Sequence, residues 1–369
     1  MNLMCYQFQE SKLPTDFCKD KVNEIKQLID NSCCFTVVGM PGMGISTFLK
    51  FLATQTFAYF IHVDLYELTS FDKTEFFKLF ADQLKVEPRN IKKELFRLTK
   101  KHSRVVIIFN RFDQLKESFD ENLFMNLRSL REVDKEKIVM IFSANKPLYL
   151  WSPSSFKNGN LEMYSKIYFL KPYHKKELIT LIKLYKPDLD IGGAVLEQYI
   201  DLSGGHLQLL QLLINCRRSS NYLQDDFVKF QIERIVGILS LNERLQLKKI
   251  LSKPKTPEIS ELLINYGIIR KVDGNYDFFS SLLREYLQIN NLGRLSRFEM
   301  RLFNLLKHSM GKVVTKDEII SQVWQDKSSE TTDWALNALI YRLRKNPRFM
   351  NSGYNIESYK RIGYFLTKL

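Results

Sequence analysis

Cys34-Phe-Thr-Val-Val-Gly-Met-Pro-Gly-Met-Gly-Ile-Ser-Thr47 is the stretch that decides the fold. A short apolar, β-branched run ends in a cluster of glycines, and a helical pattern follows from Ser46 to about Gln55. Strand, glycine loop and helix in that order let backbone N–H groups and a helix N-terminus hold a phosphate. Gly39 and Gly44 keep the spacing of the phosphate-binding loop G-x-x-x-x-G-K-[ST], with Pro41, Gly42 and Met43 between them. Ile45 takes the lysine's place, and Ser46 stands where the Mg²⁺-ligating hydroxyl belongs, followed by Thr47. The plainer alternative is a tight glycine turn that binds nothing.

Outward from the loop, strands are expected at Phe57–Val63, Val105–Phe109, Ile138–Ser143 and Lys166–Leu170. Helices are expected at Phe17–Ile29, Phe71–Leu84, Arg89–His102 and Asp120–Val133. Such alternation implies βαβ units and a parallel sheet. A nucleotide site would take its second half from an acidic end to a buried strand. Here Val105–Phe109 is followed by Asn110, where the magnesium-holding acid is expected, and by Arg111, where a water-polarising acid is expected. Asp113 remains, as a site residue or only a helix N-cap. Phosphoryl transfer depends on positioning and charge neutralisation, so losing the lysine and both acids should cost several kcal/mol of transition-state stabilisation. Ground-state binding rests more on backbone amides and the helix end, so these residues favour a non-hydrolysing site.

Helical periodicity dominates from Lys175 to Ile238. A smaller segment, Ser240 to about Ile289, fits helix, helix, strand, turn, strand, helix, with Asp273-Gly274-Asn275 as the hairpin turn. Asn290 to Gly293 read as a linker. Beyond it, Leu295–Leu306 is an apolar-periodic helix, Val313–Val314 a short strand, Lys316–Trp324 a helix and Thr332–Lys345 a longer one. Tyr354–Ser358 and Gly363–Leu366 form a hairpin around Tyr359-Lys360-Arg361-Ile362. Two cations at a hairpin tip suit a wing lying against phosphates or the minor groove.

Residues from about 15 to 290 resemble the P-loop module of the AAA+/STAND class. Besides the glycine loop, Ser143 and Asn145 follow the fourth strand, Leu170–Leu178 (LKPYHKKEL) resembles the crossing from core to lid, and Ser203–Leu213 (SGGHLQLLQLL) resembles the lid helix, with Leu207 where proline often stands. The resemblance implies an α/β P-loop NTPase core over 31–174, after a helical lead-in at 1–30. It also implies a helical lid over 175–238 and a winged helix over 239–290 packed on the module. It brings ATP or ADP and Mg²⁺ as cofactors, a homo-oligomer or protein partner, and a nucleotide site of Gly39, Pro41, Gly42, Met43, Gly44, Ile45, Ser46 (also the Mg²⁺ ligand), Thr47, Asn110, Asp113, Ser143 and His206. His206 would approach a bound phosphate, whereas His62, within a strand, reads as a core or edge residue.

Residues 293–369 resemble the OmpR/PhoB-type winged helix across its length, through KDEIISQVW, LIYRLRK and the closing IESYKRIGYFL. The fold class expected for the chain is therefore a P-loop α/β core with helical lid and two winged-helix (α+β) domains. In the last of these the resemblance makes Thr332–Lys345 the major-groove recognition helix. Trp334, Asn337, Tyr341 and Arg342 would face double-stranded DNA, Arg344 the phosphate, with Lys345 also on the DNA-binding side, and Ser358, Lys360 and Arg361 would form the wing contact. Arg361 replaces a family glycine, and Ala335 and Leu339 occupy places often polar in relatives.

The bulk numbers agree with a polyanionic partner. The 369 residues carry a net charge of +14, and half of it lies between Gly293 and Leu369. Five cysteines without metal-ligand spacing suit a reducing compartment. The opening mix of Gln, Glu, Lys and Asp is not that of a signal peptide, and no apolar run approaches a membrane span. Together these give the expectation of a cytoplasmic DNA-binding transcription regulator with a degenerate nucleotide module. An active DNA-linked ATPase of replication or mobile-element type, and a protein-interaction scaffold in defence or signalling, stay open as alternatives.

Overall fold

The computed structural model describes residues 9–156, 161–216, 222–252, 259–289, 295–325, 331–346, 349, 353–359 and 362–368. They divide into two compact units, Met1–Glu243 with Lys253–Arg284, and Arg244–Ser252 with Glu285–Leu369.

The first unit opens with α1 (Lys19–Asp30), β1 (Phe35–Val38), α2 (Ile45–Ala53) and β2 (Tyr59–Asp64). It continues with α3 (Lys73–Leu84), α4 (Ile91–Lys101), β3 (Val105–Asn110), α5 (Glu121–Arg131), β4 (Ile138–Ala144), α6 (Leu161–Tyr164) and β5 (Ile167–Phe169). The strands form one parallel sheet in the order β2-β3-β4-β1-β5. Every residue of β1, β3 and β4 is buried, as expected when helices cover both faces of a parallel sheet. Because the strands all run the same way, the carboxyl ends at Val38, Asp64, Asn110 and Ala144 share one edge, where open α/β sheets bind ligands. Interlocked aromatics lie behind that edge. Phe109 stacks on Phe142 at 5.5 Å, and Phe112, fully buried, sits 4.9 Å from Phe142. Phe112 thereby anchors the turn after β3, where Arg111 adopts a left-handed φ of 61°.

Four helices follow: α7 (Lys175–Tyr185), α8 (Gly193–Ser203), α9 (Leu207–Asn215) and α10 (Asp226–Gly237). Their ends are set locally. His174 and Glu177 make a capping box on α7, the His206 ring caps α9, and Asp225 caps α10. Then come α11 (Leu241–Ser252), α12 (Glu261–Asn265), β6 (Ile269–Val272), β7 (Asn275–Phe278) and α13 (Ser281–Ile289). The β6–β7 hairpin closes through Asp273 and Gly274, both at positive φ, the two-residue turn that suits strand twist.

The second unit holds α14 (Arg297–His308), β8 (Val314–Thr315), α15 (Lys316–Trp324), α16 (Asp333–Lys345), β9 (Tyr354–Tyr359) and β10 (Gly363–Lys368), with an antiparallel sheet ordered β8-β10-β9. Three N-caps were written in the sequence: Ser296 with Glu299, Thr315 with Glu318, and Thr332 on Ala335. Leu302, Leu306, Ile319, Val323, Leu336, Leu339, Ile340 and Leu343 close the core against Ile356 and Leu366. Leu339 is therefore a core residue on the inward face of α16. Its apolar character serves packing and takes nothing from the outward face. A Cβ on Gly363 would lie 2.0 Å from the Val314 carbonyl oxygen, so β8 and β10 approach this closely only with glycine there. This unit is a winged helix.

Candidate functional site

A cavity of about 510 Å³ opens at the carboxyl edge of the sheet, between the glycine loop and the helices α7, α9 and α10. Of the residues expected from the sequence, Gly42, Met43, Gly44, Ile45, Ser46, Thr47, Asp113 and Ser143 line it. The loop is held open by a Met43 N–H to Met40 carbonyl bond of 3.0 Å, with Gly42 and Gly44 at φ of 82° and 95°. Helix α2 starts at Gly44 without a side-chain cap, so its first turn offers N–H groups to a ligand rather than to its own chain. Ile45 folds back against Gly39 and brings no charge to the cavity.

Asn110 lies behind this wall, fully buried, as the hub of a polar cluster. Its Oδ1 accepts from Ser46 Oγ at 3.1 Å and Ser143 Oγ at 3.0 Å, and its Nδ2 donates to Asp64 Oδ2 at 3.2 Å. The Ser143 hydroxyl also accepts from the Arg111 N–H at 2.7 Å. Asp64 escaped sequence reasoning: it ends β2 and pairs with Asn110 only through the sheet register. The Arg111 guanidinium donates to its Oδ1, and that group also lies 3.8 Å over the exposed Tyr66 ring. Burial raises the Asp64 carboxyl, but the Arg111 hydrogen bond and charge, with the Tyr66 amide, bring it below the usual carboxylate range. Asp113 goes the other way. Burial drives its pKa up against two hydrogen bonds from Asn145, at 3.0 and 2.9 Å. It is thus no helix cap; it ties the turn after β3 to the end of β4.

A magnesium ion fits this donor set poorly. Mg²⁺ is held through one or two carboxylates beside the phosphates. Here Ser46 faces a neutral carboxamide, Asp64 is taken by Arg111 and Asn110, and Asp113 accepts two hydrogen bonds from Asn145. Ser46, expected as the magnesium ligand, donates its hydroxyl hydrogen to Asn110 Oδ1.

His206 also differs from expectation. It is fully buried and does not line the cavity; its Nδ1 accepts from the Leu209 N–H at 3.2 Å and its Nε2 lies 3.0 Å from the Pro41 carbonyl. Burial lowers its pKa to about 4, so it sits neutral, with the proton on Nε2. Gln231 Nε2 donates to the same carbonyl, and the Gln208 N–H donates to the Gly42 carbonyl at 3.1 Å. Pro41 and Gly39 shape the loop rather than face the cavity. Tyr66, Arg111, Tyr185, Gln208, Gln211 and Arg234, none singled out as ligand contacts beforehand, do line it.

In the winged helix, Trp334, Asn337, Tyr341 and Lys345 recur at helical spacing along the exposed face of α16, with Arg342 beside them. Trp334 is 79% and Tyr341 62% exposed, and the Lys345 ammonium lies 5.9 Å over the Tyr341 ring. Asn337 is fixed from below, accepting from the Tyr364 hydroxyl at 2.6 Å. Arg344, expected at the phosphates, is exposed and also reaches the wing strand. Its Nε and one amino group donate to the Ile356 carbonyl at 3.2 and 2.7 Å, tying α16 to β9. Ser358 is exposed on β9, while Lys360 and Arg361 lie outside the described residues.

Residues 35–158 match the model of the ATPase family associated with various cellular activities (AAA). Residues 290–366 match that of the transcriptional regulatory protein, C terminal. Two separate segments of the chain thus resemble known domains, the first an AAA ATPase domain and the second a C-terminal domain of transcriptional regulatory proteins. Comparison with curated proteins gave no match. Among solved structures, a Walker-type ATPase of Pyrococcus abyssi is similar at 15% identity, with 73% of this chain and 95% of that one covered and a TM-score of 0.48. The ORC1 protein of Aeropyrum pernix, solved in complex with DNA, shares 10% identity over 98% of this chain and 91% of its own, with a TM-score of 0.43. The Thermotoga maritima RuvB Holliday junction branch migration motor shares 16% identity over 75% and 95%, with a TM-score of 0.35. Likenesses this distant assign no activity. Among the described residues, no helix is long and apolar enough to cross a membrane.

Proposed function

We propose that the chain is a DNA-binding transcription regulator whose AAA unit binds ATP or ADP without hydrolysing it, as a sensor or an oligomerisation platform. The outward face of α16 carries this reading: two exposed aromatics, a fixed amide and two cations stand on a helix whose opposite face is sealed in the core. A face of that kind suits a major groove, with Asn337 and Arg342 toward base edges and Lys345 toward phosphate. The wing at Ser358, Lys360 and Arg361 would add backbone contacts. Absence of turnover is supported by Ile45 in the lysine's place at the loop and by Asn110 and Arg111 in the places of the two acids, which leave no carboxylate at the end of β3 to hold a metal or polarise water.

The test is duplex DNA binding by fluorescence anisotropy across a salt series, for the wild type and for Arg342→Ala combined with Lys345→Ala. Each phosphate contact contributes about 0.9 to the slope of log affinity against log salt, so the double variant should lose about 1–2 from it. An unchanged slope would remove α16 from the interface, and no duplex binding at low salt would remove the DNA reading.

A further inference from the structure

We infer that the cavity takes nucleotide phosphates on the Arg111 guanidinium and does so without a magnesium ion, a conclusion that rests on the nucleotide reading above. The charges expected of a phosphate site have been relocated: the cation has moved from the loop to the end of β3, as Arg111, and an acid stands one strand over, as Asp64. Arg111 is oriented on two sides, by Asp64 at one amino group and by the Tyr66 ring across its plane. Its side chain keeps 24% of its surface and lines the cavity. A guanidinium has five N–H donors in a fixed fork, and Asp64 Oδ1 engages one amino group, so others remain for phosphate oxygens.

Around it the metal's usual acid is missing: Ser46 keeps its oxygen lone pairs, but the group beside it is the neutral carboxamide of Asn110. The Ser46 hydroxyl donates to Asn110 Oδ1, and both Asp64 oxygens accept hydrogen bonds within the cluster. A hydrated dication entering here would meet a neutral amide and a fixed guanidinium of like charge. A delocalised, weakly hydrated guanidinium instead suits bidentate contact with a phosphate in a partly dry site. Arg234, on α10, lines the same cavity, so its charged lining residues are Arg111, Arg234 and Asp113, with Asp64 paired to Arg111 beside them. The loop N–H groups, Arg111 and Arg234 therefore supply the countercharge that a magnesium ion would otherwise bring.

The experiment is calorimetric titration of the nucleotide-stripped full chain with ADP and with ATP, once with Mg²⁺ and once with EDTA. Affinities within about threefold of each other are expected, with Arg111→Gln weakening binding at least tenfold in EDTA. A tenfold or greater loss of wild-type affinity on removing Mg²⁺ would overturn the proposal without touching the nucleotide reading, as would an Arg111→Gln protein that binds like the wild type. No heat of binding in either buffer would overturn the nucleotide reading and this proposal with it. The wild-type comparison decides the metal question even where the Arg111 variant, deprived of its partner for Asp64, fails to fold.

Discussion

Acid should loosen the first unit through His206. In the fold its pKa is about 4, set by burial, against 6.5 for the free side chain. A histidine whose folded pKa lies below its unfolded value contributes stability that is whole above pH 6.5. That stability is lost as the pH falls from 6.5 toward 4, because the unfolded chain binds the proton first. One pKa unit corresponds to about 1.4 kcal/mol, so lowering the pH to 5 should remove about 2 kcal/mol through this residue. Urea unfolding of wild type and His206→Asn, followed by circular dichroism at pH 7.5 and pH 5, isolates the effect. Asparagine keeps an acceptor for the α9 N-terminus but does not titrate. His62, also lowered to about 4 by burial, is common to both proteins and cancels in the difference. The variant should be the less stable protein at pH 7.5, with the gap narrowing by about 2 kcal/mol at pH 5. Parallel pH profiles would refute the assignment of a buried neutral imidazole.

The remaining predictions concern the winged helix. Tyr364→Phe and Asn337→Ala should each destabilise it and be coupled by about 1 kcal/mol in a double-mutant cycle read by thermal unfolding, because one hydrogen bond joins them; additivity would deny that bond. Gly363→Ala should cost about 2–3 kcal/mol in the same measurement, since a Cβ there forces β8 from β10, and an unchanged midpoint would contradict the strand spacing.

Features written within a few residues of one another were legible in the sequence. Apolar periodicity placed α14 to within two residues, and alternating strands and helices gave the parallel sheet. The loop from Gly42 to Thr47 emerged at the cavity because strand, glycines and helix are contiguous. What could not be read depends on register between distant segments. Asp64 and Asn110 are 46 positions apart and meet only through β2–β3 pairing. His206 was expected at a phosphate because it follows two glycines at a helix start, but its ring is aimed by a carbonyl 165 positions away. Arg344 falls at the edge between the inward and outward faces of α16, where periodicity cannot decide between groove and wing strand. The structure adds a bond to the Ile356 carbonyl that periodicity does not show.

The Pro41 carbonyl, held at once by His206 from the start of α9 and Gln231 from α10, makes the loop and those helices one mechanical element. Neither can move far without stranding a buried acceptor, whose exposure to no partner is costly. By linkage, whatever a ligand in the loop does to the tilt of α9 and α10, a partner gripping those helices does in equal measure to the ligand's affinity. Any communication between the two ends passes through two neighbouring peptide oxygens, those of Pro41 and Gly42, and runs in both directions.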